Sequence, residues 1–194
     1  MKSIISFTVT GCLYMLCMVS CTKEHSELSL SASASSQATG KSAHFIGEHF
    51  GGGVVFYIDS TGQHGLICSV LDIEEAFMWT EAKYSVTGAK ATQIGGGAKN
   101  TFKIVQSQGD SGEYAARECY NFHDNGYYNW CLPSKDELNE MYKQKDVIGG
   151  FNTFSYWSST EYNHTVAWFQ NFSSGEQIRA GKTSSYAARP IRHF

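Results

Sequence analysis

Aromatic residues and turn residues alternate closely through the C-terminal half of this chain, and they constrain its fold more than any other feature. They run from Trp130 through residues 156–162 and 167–172 to residues 188–194. Large rings at this density bury much surface per residue. The glycines between the aromatic segments mark turns. The pattern predicts one folded unit with a shared core, and it contains no recognisable catalytic set.

Residues 1–20 have the character of an export signal. Lys2 supplies a positive charge, and a largely apolar stretch follows it. Residues 18–21, Met-Val-Ser-Cys, resemble a bacterial lipobox, in which Cys21 is acylated and becomes the new N-terminus. Polar residues directly after Cys21 favour this interpretation over an ordinary signal peptide or a short anchor, which needs about 20 apolar residues. We expect a lipid-anchored protein. The neutral Thr22 after the acylated cysteine resembles the signal for sorting to the bacterial outer membrane, and no leaflet is predicted.

Residues 21–44 predict a lipidated cysteine followed by a flexible tether. Residues 26–43 are mostly Ser, Ala, Thr, Gln and Gly, with Leu28 and Leu30 as the large apolar side chains. Such a stretch cannot bury enough surface to offset its ordering entropy. The remaining residues 45–194 are enough for one domain with its own core.

The charge balance argues against nucleic acid as a partner. The chain has 15 Lys and Arg against 18 Asp and Glu, a net charge of −3. The chain therefore lacks the excess of basic residues that would drive binding to a phosphate backbone. Four cations do cluster late in the sequence, at Arg179, Lys182, Arg189 and Arg192. We interpret them as a solvated face, with a local anion-attracting patch as the alternative.

Three thiols remain once the leader is removed and Cys21 is acylated: Cys68, Cys119 and Cys131. Their spacing does not match a zinc site, which needs paired ligands two to four residues apart. Cys119 with Cys131 is the first disulfide to test, because both lie near one helix end and the strand after it. Three buried, reduced cysteines are the alternative. The histidines show no metal-ligand spacing either, and no metal or other cofactor is predicted.

Strand patterns open and close the domain. A glycine triplet feeds the β-branched and aromatic run 54–58, and a turn and a second run at 66–70 complete a hairpin. Later strands are predicted at 154–160, 166–172, 177–180 and 185–191. Alternation in the second of these four places Trp168, Gln170 and Phe172 on one face, and residues 167, 169 and 171 on the other.

Helices are predicted between these strands. A short helix or turn is expected at 74–83, a loop at 85–100, and a short helix from Asn100 or Thr101 to Val105. Asp110 and Glu113 have the spacing of a capping box, and so do Ser134 and Glu137. The first box predicts a helix with a buried side formed by Ala115, Ala116, Cys119, Tyr120 and Phe122. The second predicts a helix with Leu138, Met141 and Tyr142 on one side. The order indicates an α+β fold.

These segments together resemble the Lcl C-terminal domain family, found at the end of collagen-like bacterial adhesins and in many exported proteins. The matching pieces, in order, are residues 51–59, 62–66, 115–119, 130–138, 156–159 and 189–194. The resemblance implies a C-type-lectin-like fold over residues 45–194, with a twisted antiparallel sheet and two or three short helices on one side. The Arg-Pro-Ile-Arg tail also resembles retroelement-diversified receptor-binding proteins, which display variable residues on their last strands and loops.

A non-catalytic recognition domain that binds a glycan or a surface protein is the function this resemblance implies. Rigid rings with amide partners suit such ligands because they lose little entropy. The candidate ligand-face residues are Tyr162, His164, Gln177, Arg179 and Tyr186. Four further aromatic residues are interpreted as core: Trp157, Trp168, Phe169 and Phe172.

Two alternatives stay open. One is a structural surface module without a ligand. The other is a thiol oxidase with Cys68 and Cys131 as its redox pair, because the same fold carries the formylglycine-generating enzymes. The sequence has no nucleophile-elbow or zinc-protease motif. Calcium-dependent sugar binding of the lectin type needs a proline-centred loop that neither Pro133 nor Pro190 supplies.

Overall fold

The computed structural model describes residues 43–73, 76–81, 84–151 and 155–194. Within these ranges nine strands form two sheets, accompanied by four helices. The predicted α+β class is therefore confirmed. The elements are β1 (His49–Phe50), β2 (Gly53–Ile58), β3 (Gly65–Cys68), β4 (Ala76–Met78), α1 (Gly97–Gln108), α2 (Ala115–Asn121), α3 (Lys135–Lys143), α4 (Lys145–Ile148), β5 (Ser155–Glu161), β6 (Val166–Asn171), β7 (Gln177–Gly181), β8 (Ser185–Ala187) and β9 (Ile191–His193). The leader, Cys21 and most of the predicted tether lie outside the described residues.

The first sheet joins the predicted hairpin to the last strand. Its order is β1-β2-β3-β9, and all its pairings are antiparallel. The prediction of one strand over 185–191 is wrong, because β8 and β9 belong to different sheets. Two residues of the segment that joins β8 to β9 interrupt the strand. Pro190 lacks an N–H group for a sheet hydrogen bond, and the Arg189 side chain is buried. The late strands therefore divide between two sheets.

The second sheet has the order β4-β8-β5-β6-β7. The predicted helix or turn at 74–83 is wrong for residues 76–78, which form β4 and pair with β8. Phe77 is buried between the exposed Ala76 and the half-buried Met78, as strand alternation requires. The flanking residues 74–75 and 82–83 lie outside the described ranges.

Helices lie against both faces of the second sheet, whereas the prediction placed them on one side. Consecutive residues of β5 point to opposite faces. Trp157 packs in a core cluster with Ile104 of α1 and Ala116 of α2. Tyr156 packs with Leu138 of α3 and with the first sheet. None of the helices in the described ranges has the length and apolar character needed to cross a bilayer.

One buried carboxylate organises two helix starts. Ser134 and Glu137 form the predicted capping box of α3, which is confirmed. Glu137 also accepts a hydrogen bond from the backbone N–H of Gly97 at 3.0 Å. This contact satisfies a free amide at the start of α1, so α1 begins at Gly97 and not at Asn100 or Thr101. Asn100 instead binds the backbone N–H and carbonyl of Ala91.

The predicted capping box at Asp110 does not form. Helix α2 begins at Ala115, with Tyr114 at the N-cap and no side-chain cap. Tyr114 is fully buried, and its hydroxyl donates to the Gly109 carbonyl at 2.8 Å. That anchor places the helix start after the buried ring. Of the predicted buried side, Ala115, Ala116 and Cys119 are buried, Phe122 is half-buried and Tyr120 is exposed.

Candidate functional site

Strands β6 and β7 bring three of the five predicted ligand-face residues to one side of the second sheet. Arg179 pairs across the strands with Trp168, and Gln177 pairs with Gln170. Cross-strand partners share a face. Tyr162, in the turn after β5, lies against Arg179. His164 is exposed in the same turn.

Tyr186 does not join this group. Its ring stacks on Phe169 at 4.3 Å and meets Trp157 at 4.8 Å. Both partners belong to the core cluster on the opposite face of the sheet. Trp157, Phe169 and Phe172 are buried, as predicted.

Trp168 was predicted to be core, and this is wrong because it is only half-buried. It lies on the sheet face that α3 covers, at the point where that helix begins. Lys135, the first residue of α3, holds its ammonium group 4.7 Å from the centre of the Trp168 ring. The helix therefore covers part of the ring with a cation, and the ring remains half-exposed.

A ladder of rings and cations results, which we call the cation–aromatic face: Lys135, Tyr162, Trp168 and Arg179. The Arg179 guanidinium carbon lies 4.3 Å from the Tyr162 ring centre and 5.4 Å from that of Trp168. The two rings meet edge to face, with centres 6.1 Å apart. Each cation–π contact at an exposed site contributes about 0.5–1 kcal/mol, so the guanidinium is held in place before any ligand arrives.

The cation–aromatic face is positively charged. Among the described residues, no carboxylate forms an ion pair with Arg179 or Lys135. Lys90 lies beside it, where its ammonium group donates to the Tyr162 carbonyl at 2.6 Å and pairs with Glu161 at 3.4 Å. Sequence reasoning missed Lys135 and Lys90, because no local pattern indicates that loop 85–91 and the start of α3 meet this strand pair.

A buried ion pair stabilises the end of β5, next to Tyr162 of the cation–aromatic face. Glu161 and Lys182 are both fully buried, and their oxygen and nitrogen lie 2.6 Å apart. Glu161 also accepts hydrogen bonds from the amides of Thr87 and Gly88. Burial alone would raise the pKa of Glu161, but the hydrogen bonds from Lys182 and the Thr87 amide and the charges of Lys182 and Lys90 outweigh it and leave the pKa below its ordinary value. The pair fixes the strand end that presents Tyr162.

The interpretation of the four late cations as a solvated face is wrong for three of them. Lys182 and Arg189 are fully buried, and Arg192 is half-buried. Arg192 donates to the Gly51 carbonyl at 2.6 Å and lies over the Tyr127 ring. Arg179 alone of the four is exposed. Long side chains with apolar stems can be buried where fixed acceptors receive their heads.

The three described cysteines are free thiols in the structure, so the predicted Cys119–Cys131 disulfide is not formed. All three are buried, which matches the alternative of reduced cysteines. Burial raises the pKa of Cys68 to about 12. It also raises the pKa of Cys119 and Cys131 well above the ordinary value. The thiolate is the reactive form, so these positions disfavour nucleophilic chemistry.

The described ranges contain no group of three or more His, Cys, Asp or Glu side chains placed to hold a metal ion. Comparison with curated proteins gives no match. The model of the Lcl C-terminal domain matches residues 68–192, a range that contains all four helices and the whole second sheet, with Cys68 of β3 and Ile191 and Arg192 of β9 from the first sheet. The chain therefore belongs to the Lcl C-terminal domain family.

Proposed function

We propose that this chain is an exported lipoprotein whose domain is a non-catalytic recognition module of the C-type-lectin-like type. Its ligand is a glycan or a protein at the cell surface, and the cation–aromatic face is the contact region. The observation that carries the proposal is the exposed ladder of Tyr162, Arg179 and Trp168, which lacks an acidic partner among the described residues.

The chemistry of the face favours a ligand that carries negative charge. Rings supply contact area with little entropy loss, and a guanidinium binds carboxylate or sulfate-like groups with two parallel hydrogen bonds. Acidic sugars and acidic peptide segments both have such groups. Because β6–β7 pairing and the buried Glu161–Lys182 pair hold the face rigid, binding should require little reorganisation.

The finer fold assignment has its support in the strand pairing. The hairpin of β2 and β3 is joined to β9, and most pairings are antiparallel. This arrangement is compatible with a C-type-lectin-like scaffold. The thiol-oxidase alternative has less support because Cys68 and Cys131 are buried, with their pKa raised.

Replacing both Tyr162 and Arg179 with alanine should weaken ligand binding at least about tenfold, because a ring contact and a charged contact are lost together. The measurement is an array of acidic and neutral glycans and acidic peptides, followed by titration of each hit. The matched control is Tyr128→Ala with Lys99→Ala, which removes an exposed ring and an exposed cation outside the face.

The control pair should bind like the parent chain. Unchanged binding by the Tyr162→Ala, Arg179→Ala variant would remove the face from the proposal. A folded parent chain that binds nothing on the array would instead favour the structural surface module.

Replacing Cys21 with serine should release the chain from the membrane fraction. The thiol is the acylation point, and each buried methylene of an acyl chain contributes about 0.8 kcal/mol to anchoring. Metabolic labelling with radioactive fatty acid and fractionation of the outer membrane measure this. Cys131→Ser is the control and should keep both label and location. Absence of label on the parent chain would exclude the lipid anchor.

A further inference from the structure

A small cavity opens where the first sheet meets the loop before α1. Its volume is about 220 Å³. Aromatic and aliphatic walls come from Tyr57, Leu66, Ile94 and Phe194. The polar lining comes from Asp59, His64, Gly95 and His193. None of these residues belongs to the cation–aromatic face.

The register of the first sheet explains why these groups meet. Leu66 pairs with Tyr57 on one side and with His193 on the other. The three side chains therefore share one sheet face. Gly65 and Phe194 exchange two backbone hydrogen bonds at the end of the same ladder. A side chain at position 65 would collide with the Tyr57 carbonyl and the Phe194 ring, so glycine allows the walls to close.

A buried carboxylate, that of Glu137, lies near His193. The Nε2 of His193 lies 3.9 Å from Glu137 Oε1, while 42 % of the His193 side chain is exposed. The same carboxylate oxygen accepts the Gly95 amide at 2.8 Å, which fixes its position. Glu137 does not itself line the cavity, and the exposed imidazole of His193 remains open to a ligand.

Two more polar groups stand at the rim. Asp59 Oδ1 accepts hydrogen bonds from the N–H and hydroxyl of Thr61 and from the N–H of Gly62. His64 is exposed, and its ring makes no hydrogen bond within the described part of the chain. The rim thus offers acceptors and donors around an apolar wall.

We propose that this cavity binds a single neutral sugar residue. Its volume lies below the roughly 300–1,000 Å³ of sites for drug-sized ligands, so it takes one ring. A sugar ring has an apolar face for Tyr57 or Phe194 and hydroxyls that both donate and accept hydrogen bonds. One carboxylate, Asp59, stands with two imidazoles, His64 and His193, at the site, which favours a neutral ligand over a strongly charged one. The site is independent of the ligand of the cation–aromatic face.

Ligand-observed NMR saturation transfer on the full chain tests this proposal. The chain is kept in a detergent without sugar headgroups, and the probes are glucose, galactose, mannose, fucose, N-acetylglucosamine and N-acetylgalactosamine. At least one should receive saturation. His193→Ala combined with His64→Ala should weaken its binding at least about tenfold, through the loss of two hydrogen bonds. His123→Ala removes an exposed imidazole elsewhere and should change nothing.

A second variant separates loss of the site from loss of the fold. Ile94→Trp enlarges a lining side chain and should abolish the signal by filling the cavity, without altering Glu137 or either histidine. Tyr162→Ala with Arg179→Ala should leave the signal intact, so failure of this site and failure of the proposed function are distinguishable. Saturation of none of the six sugars, or saturation that survives both cavity variants, would overturn the proposal. So would saturation of free amino acids in place of sugars.

Discussion

Replacing Arg189 with methionine is expected to lower the free energy of unfolding by about 3–5 kcal/mol, the cost of breaking a buried ion pair from one side. Arg189 is fully buried and makes five hydrogen bonds. One of them is the ion pair with Asp72, at 3.1 Å. The other acceptors are the carbonyls of Ser69, Val70, Gly149 and Gly150. Urea denaturation followed by tryptophan fluorescence measures the loss.

The planar shape of the guanidinium makes arginine difficult to replace at position 189. One planar group joins the segment after β3 to the segment after α4, and its carbon lies 4.3 Å from the Phe151 ring centre. Arg189→Lys should therefore be nearly as harmful, because an ammonium group has three donors and no fixed fork. Removing Asp72 as well should recover little, because four backbone carbonyls would still lack the donors that Arg189 supplies.

Arg179→Met is the matched control, since it removes an exposed arginine from the same part of the chain. It should cost at most about 2 kcal/mol, because only two cation–π contacts are lost. Equal stability of Arg189→Met and the parent chain would contradict the structural role given to this residue.

Replacing Lys182 with methionine is the second large effect, again about 3–5 kcal/mol. It leaves Glu161 buried without its closest positive partner, and it removes the hydrogen bond to the Ser85 carbonyl at 2.8 Å. Replacing Glu161 with glutamine in the same chain should restore part of the stability. Glu161 accepts the Thr87 amide on Oε1 and the Gly88 amide on Oε2, so a glutamine carbonyl can still accept one of the two, and no charge is left buried. A double-mutant cycle gives the coupling between the two residues.

The pH dependence of this variant has a definite sign. In the parent chain the pKa of Glu161 lies below its ordinary value because Lys182, Lys90 and the loop amides together outweigh burial. The carboxylate therefore stabilises the fold above its unfolded pKa, and this contribution is lost as pH falls through the folded pKa. Without Lys182, burial should dominate and raise the pKa. The stability deficit of Lys182→Met should then shrink on acidification from pH 7 to pH 4. A constant deficit would exclude the charge as its cause.

Local patterns identified those elements whose stabilising contacts lie close together in sequence. The capping box of α3 is an example, since Ser134 and Glu137 are three residues apart and satisfy each other. The hairpin of β2 and β3 is another, because its turn has hydrogen bonds that join residues 59–64 to one another. In such elements the contacts that stabilise the conformation lie within a short segment of the sequence.

Elsewhere, contacts between residues far apart in sequence made the structure differ from the prediction. Helix α1 starts at Gly97 because a carboxylate 40 positions later in the chain accepts its amide. Trp157 is core and Trp168 is half-exposed, although both are tryptophans in neighbouring strands. The difference is which helix covers each sheet face, and alternation within a strand does not contain that information.

The amino-acid sequence by itself determined the family, the α+β class, the capping of α3 and most of the strands, because these depend on periodicity and on neighbours within a few residues. Only the tertiary structure decided which cations are exposed. Lys182 and Arg189 are buried because acceptors from loop 85–88, from Glu161 and from residues 69–72 and 149–150 converge on them. Arg179 meets rings and water. Burial of a charge is fixed by partners distant in sequence, and no local pattern records them.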